Sequence, residues 1–188
     1  MNKPPLNIDA AARLSRFIKL RDVSCVELHA AHRNAPAGSA DLSLSWSTPN
    51  STAIWGLKEA TLKVLIPFFL VIEGVENGDT GNKTKLAEMQ VTLRLDYELE
   101  RGGSNEWSED DLPHFAGVSS YLHAWPYFRA EIQALTTKLG FPPLVLPVIV
   151  SGHVAKQVTV QTFDELKEVA SPKAKRRKTA ERKSPRLQ

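Results

Sequence analysis

The stretch Leu86–Glu100, LAEMQVTLRLDYELE, decides the fold class. Ala87, Met89, Val91, Leu93, Leu95, Tyr97 and Leu99 fall on one side of a period of two, and Glu88, Gln90, Thr92, Arg94, Asp96, Glu98 and Glu100 on the other. Successive strand residues point to opposite faces, so this pattern predicts a long antiparallel strand with one face in the core and one in water. Three further strands are expected upstream. Phe17–Leu28 is rich in β-branched and apolar residues, with Ile18, Leu20, Val26 and Leu28 at even positions. Asp41–Ser47 alternates strictly, placing Leu42, Leu44 and Trp46 opposite serines, and Trp46 is expected in the core. Ala60–Ile72 begins amphipathic and becomes apolar on both faces through IPFFLVI, where Pro67 removes a ladder donor and predicts a bulge or an edge position.

Between the second and third strands lies TPNSTAIWGLKE, residues 48–59, read as a turn-rich connection that carries Ile54, Trp55 and Leu57. Downstream, Phe115, Val118, Leu122, Trp125, Phe128, Ile132, Leu135 and Leu139 form an apolar stripe with helical spacing that ends at Gly140. Pro126 interrupts the stripe, so a kinked long helix or two helices abutting at Trp125 are expected. The following FPPLVLPVIV, residues 141–150, holds too many prolines for a helix and predicts an extended apolar connection. A short strand within residues 154–160 and a capping box from Thr162 to Glu165 complete the pattern. The sum is an α+β fold with a four-stranded antiparallel sheet and a long kinked helix. A single layer of this size leaves apolar surface that oligomerisation would bury.

Charge divides the 188-residue chain unevenly. Residues 1–170 hold 16 basic and 20 acidic residues, a net −4, whereas residues 171–188 hold 8 basic and 1 acidic, a net +7. A uniformly basic nucleic-acid binder is thereby disfavoured, and the tail, nearly without apolar residues, is expected to be disordered. Residues 1–15 are expected to form a mostly mobile N-terminal arm with room for one short helix, and residues 16–170 the folded domain. One cysteine, Cys25, excludes an internal disulfide framework and fits a reducing compartment, where it is read as a small apolar filler. No apolar run approaches the ~20 residues that span a bilayer, and a cytoplasmic location is expected.

The sequence holds no glycine-rich phosphate loop and no nucleophile–base signature, so catalysis, a metal and a cofactor are all unexpected. His29 and His32 have no third ligand near them, and the acidic residues Glu109, Asp110 and Asp111 suit a helix start on electrostatic grounds alone.

Two linked segments carry a family resemblance. Trp125-Pro126-Tyr127-Phe128-Arg129 followed by Gly140-Phe141-Pro142-Pro143-Leu144-Val145-Leu146-Pro147 resembles the SecB protein-export chaperones, in which a Pro-Tyr-x-Arg helix runs into a Phe-Pro-x-Leu-x-Leu connection. Arg21-Asp22-Val23-Ser24 and Leu86-Ala87-Glu88-Met89-Gln90 add local similarity, and the resemblance spans about residues 16–150. The chain departs from the family in an apparent insertion at residues 151–161 and in its basic tail.

The resemblance implies an ATP-independent holdase, a homotetramer built as a dimer of dimers, that keeps unfolded polypeptides competent for export. Its specialised members instead hold the antitoxin of a toxin–antitoxin pair. Ile54, Trp55, Leu57, Phe141, Leu144 and Val145 are the implied client groove. Asp22 and Glu88 match positions where the family docks the SecA motor, while Glu27 falls outside the matching register. Phe115, Val118, Leu122 and Ile132 are expected at the oligomer interfaces, with ordinary core as the competing reading. Arg129 is expected to pair with a carboxylate at a helix contact. A reading from another class is an adaptor whose basic tail recruits RNA or a membrane; specific nucleic-acid recognition is not expected.

Overall fold

The computed structural model describes residues 5–32, 42–48, 51–76, 83–100 and 107–170. In chain order the elements are α1 (Ile8–Ser15), β1 (Ile18–His32), β2 (Leu42–Ser47), β3 (Thr52–Lys58), β4 (Thr61–Glu76), β5 (Lys83–Leu99), α2 (Asp111–Gly117), α3 (Ser119–Lys138), α4 (Ser151–Gln157), β6 (Thr159–Thr162) and α5 (Phe163–Ala170). The α+β class and the mostly antiparallel sheet are as expected, but the sheet has six strands rather than four. Its order is β1-β5-β4-β3-β6, with β2 paired to the far end of β4. The two added strands are β3, formed by the segment expected as a connection, and β6, which joins β3 in parallel.

Alternation in β5 is as the sequence predicts. Met89, Val91, Leu93, Leu95 and Tyr97 are buried, and Leu62, Val64, Ile66, Phe68 and Leu70 of β4 join them on the inner face. The helices cover this face. Phe68 stacks on Phe128 of α3 with ring centroids 4.4 Å apart, and Tyr121 and Trp125 complete the cluster. Burying a ring such as Phe128 stabilises the fold by about 2–3 kcal/mol.

Pro67 sits in register with Thr92 on β5, without a bulge. On the other side of β4, pairing with β3 ends at Leu65 and pairing with β2 begins at Val71, so Pro67 lies on a local edge where its missing N–H costs no ladder bond. The helical segment breaks at Val118, seven residues before the expected junction at Trp125, and α3 runs through Pro126.

Residues 8–15, assigned by sequence to an arm, form a helix with buried Ala10, Ala11 and Leu14. Asn7 caps it by accepting from the N–H groups of Asp9 and Ala10. Arg13 donates to Asp111 at 2.8 Å, tying α1 to α2. Burial alone would raise the Asp111 carboxyl; the Arg13 and Ser108 hydrogen bonds and the charges of Arg13 and His114 outweigh it and hold the group below its ordinary value. Residues 171–188 lie outside the described residues, and so does the proposed behaviour of the basic tail.

Candidate functional site

Strand register divides the six groove candidates. Trp55 and Leu57 pair with Val64 and Leu62, which places them on the inner face, whereas Ile54 pairs with Leu65 on the outer one. Trp55 and Leu57 line an open cavity of about 1210 Å³ together with Leu112, Pro113 and Phe163. The other three candidates lie on the connection 141–150. Phe141 sets its ring edge-on against His32, with centroids 5.3 Å apart. Leu144 packs on the core, and Val145 is 66% exposed.

The connection is apolar, yet it is held rather than loose. Trp125 Nε1 donates to the Pro147 carbonyl at 2.9 Å, and the Leu144 N–H donates to Thr136 Oγ1 at 3.2 Å. Its residues alternate: Leu144, Leu146 and Ile149 turn inward, while Val145, Val148 and Val150 face water, Val148 at 79% exposure. Val148 and Val150 thus belong with the candidates although sequence reasoning passed over them. The sequence carries no signal for them, because inward and outward positions of this segment are equally apolar.

Two bulges in β1, at Arg21 and Val26, reset the phase of that strand. Asp22 falls opposite Asp96 and Glu27 opposite Thr92, so Glu27 shares the outer face with Asp22 and Glu88. These acids have close partners. Asp22 lies 3.8 Å from Arg94, which also approaches Asp96; Glu88 meets Lys85; Glu27 accepts from Gln90 and Thr92, both at 3.0 Å. Arg21 pairs with Glu98 and Lys19 with Glu100. The outer face is therefore charged but largely answered within itself.

Phe115, Val118 and Ile132 lie in this chain's own core, with 0–2% exposure, and Leu122 packs against it. Phe115, Val118 and Ile132 have no free area to add to an oligomer interface and take the core reading, whereas Leu122 is only partly buried and retains free area. Exposed apolar side chains lie elsewhere, at Leu20, Val26 and Leu28 on the edge strand β1 and at Tyr127 on α3. Cys25, expected from sequence as an apolar filler, is exposed on β1 as well. Arg129 is half-buried and pairs with no carboxylate among the described residues.

His29 pairs with Gln90 on the outer face and His32 with Ala87 on the inner, so the two imidazoles do not converge. Among the described residues no group of three His, Cys, Asp or Glu side chains is placed to hold a metal. At the margin of the core a polar contact joins sheet to helix: the buried Tyr97 OH lies 3.0 Å from Nδ1 of the more exposed His123. Burial pushes the Tyr97 phenol far above its ordinary value and His123 below its own. No helix among the described residues is long and apolar enough to cross a membrane.

No family model matches the sequence. The SecB-like chaperone Rv1957 of Mycobacterium tuberculosis strain H37Rv is 25% identical over 147 residues, covering 73% of this chain and 81% of the relative. The SecB-like chaperone MT2006 of strain CDC 1551 matches to the same extent. Among solved structures, Rv1957 in complex with a ChAD peptide from the Rv1956 HigA1 antitoxin superposes with a TM-score of 0.59 at 20% identity, over 76% of this chain and 96% of that one. In sequence and in fold, then, this chain is similar to the SecB-like chaperones.

Proposed function

We propose that this chain is an ATP-independent holdase that binds non-native polypeptide along the connection 141–150. The observation that carries the reading is the row Val145, Val148 and Val150, apolar and exposed, on a backbone pinned to α3 at Thr136 and Trp125. Solvent-facing apolar area on a fixed support binds extended apolar segments by partial burial, at roughly 25 cal/mol per Å² before ordering costs. Many weak contacts of this kind give broad specificity and ready release. The chain is proposed to act in the cytoplasm without catalysis, as a homo-oligomer, a tetramer in the family it resembles. Leu20, Val26 and Leu28 on the edge strand β1 are apolar area that a second copy would cover.

A client of antitoxin type is the favoured specialised reading, because the solved SecB-like neighbour carries an antitoxin peptide. An export role through SecA is the other, and it is less supported: Asp22 and Glu88, the acids it would use, are engaged by Arg94 and Lys85. The test is the triple substitution Val145→Ser, Val148→Ser, Val150→Ser, assayed for binding to an unfolded polypeptide. A loss of affinity of tenfold or more with an unchanged circular dichroism spectrum is expected. Unchanged affinity would remove the connection from the client surface.

A further inference from the structure

The outer edge of β3 is covered by the chain's own residues in a way that resembles a bound peptide. β6 is four residues long and parallel to β3, in a sheet whose other pairings are antiparallel. It runs in register from Thr52↔Thr159 to Trp55↔Thr162. Parallel pairing is slightly the weaker kind per residue. Thr159 and Gln161 of β6 are exposed, so Val160 is its one apolar anchor, and Phe163 follows as the next.

After Thr162 the chain turns into α5 through a reciprocal cap: the Thr162 N–H donates to Glu165 at 2.8 Å, and the Glu165 N–H donates to Thr162 Oγ1 at 3.2 Å. This turn sets the Phe163 ring against the bare backbone of Gly56, where a Cβ would stand 2.4 Å from the ring. Glycine within a strand often marks a close approach of this kind. Beside it Trp55 and Leu57 form the apolar wall of the cavity described above.

We propose that residues 159–163 are a built-in strap occupying a second client site, and that an extended polypeptide segment bearing an aromatic side chain displaces them. The incoming segment would add to β3 as a parallel strand and seat its ring at Gly56. Strand addition supplies affinity through the main chain, and a pocket for one side chain supplies selectivity. The template for the occupant is the strap itself. The inference rests on the holdase reading and adds regulation to it: apparent affinity falls by the fraction of molecules whose strap is open.

The test uses the full chain and, as probe, fluorescently labelled carboxymethylated α-lactalbumin, which stays unfolded. In a Cys25→Ser background, Thr52→Cys and Thr159→Cys replace two hydroxyls that now stand 2.8 Å apart, within reach of a disulfide. The oxidised form is expected to bind the probe at least about tenfold more weakly than the same protein reduced, and Phe163→Ala to bind it about threefold to tenfold more tightly than the unsubstituted chain. Equal binding by the oxidised and reduced forms, with the unsubstituted chain still binding, would overturn the strap and leave the holdase reading standing. Binding by Phe163→Ala alone would support a strap that is closed by default. Absence of binding by every form would overturn the holdase reading, and the strap with it.

Discussion

Thr136→Val tests how the connection is held. Thr136 is fully buried; its hydroxyl donates to the Ile132 carbonyl at 2.9 Å and accepts the Leu144 N–H at 3.2 Å. Ile132 loses only a secondary donor, since its carbonyl also faces the helix ladder. The partly buried Leu144 N–H loses its acceptor, at a cost of about 1–3 kcal/mol, and the new methyl returns about 0.8 kcal/mol. A net destabilisation of about 0.2–2 kcal/mol follows. With a urea slope of about 2 kcal/mol/M, the midpoint falls by roughly 0.1–1 M at fixed protomer concentration. Thr136→Ser keeps the hydroxyl and loses only a methyl, so its cost is about 1 kcal/mol. Hydrogen exchange separates the two variants: the Leu144 amide is expected to exchange faster in the valine variant and at the original rate in the serine variant. Equal protection of that amide in both would refute the pinning of the connection at Thr136.

Two other outcomes depend on pH. Asp111 has a folded-state carboxyl held below its ordinary value, so its contribution is complete above the unfolded carboxylate range and is lost as pH falls through the folded one. Asp111→Asn is expected to cost about 1 kcal/mol at neutral pH, measured by urea titration, and nothing once the carboxyl is protonated. His123 acts in the same direction but at higher pH. Its depressed value means the unfolded chain takes up the proton first, so stability is complete above the ordinary value of 6.5 and declines as pH falls below it. His123→Gln is expected to flatten that decline in thermal melts between pH 7 and 5.

The strand β5 was legible from an unbroken period of two, β4 from its long apolar run, and α3 from an apolar stripe that keeps its spacing on both sides of Pro126. β3 was not, for two reasons. Its turn into β4 is Glu59-Ala60, without the glycine or asparagine that marks a hairpin, and Glu59 takes a positive φ of 57°. Its seven residues include Gly56, which reads as loop until Phe163 is seen resting there. The phase of β1 was misread for another reason: bulges at Arg21 and Val26 each consume a residue, and nothing local in the sequence announces them. They decide which acids share the outer face, so part of that surface was illegible too. The helix residues assigned to an oligomer interface were placed by resemblance, whereas apolar periodicity alone equally predicts the core positions they occupy.

The exposed valines of the connection show the limit of composition as a guide. FPPLVLPVIV reads as uniformly apolar, and only tertiary contact sorts Leu144, Leu146 and Ile149 from Val145, Val148 and Val150. Trp125 and Thr136 do the sorting from α3, about three turns apart. Under the proposed function, the client surface is positioned by residues of the core.

The most direct test of the chaperone reading is the affinity of the full chain, without nucleotide, for one polypeptide in its unfolded and folded forms. Binding of the unfolded form at least tenfold tighter than the folded form is expected, with no change on adding ATP. Equal affinity for both forms, or binding that requires ATP, would contradict a nucleotide-independent holdase.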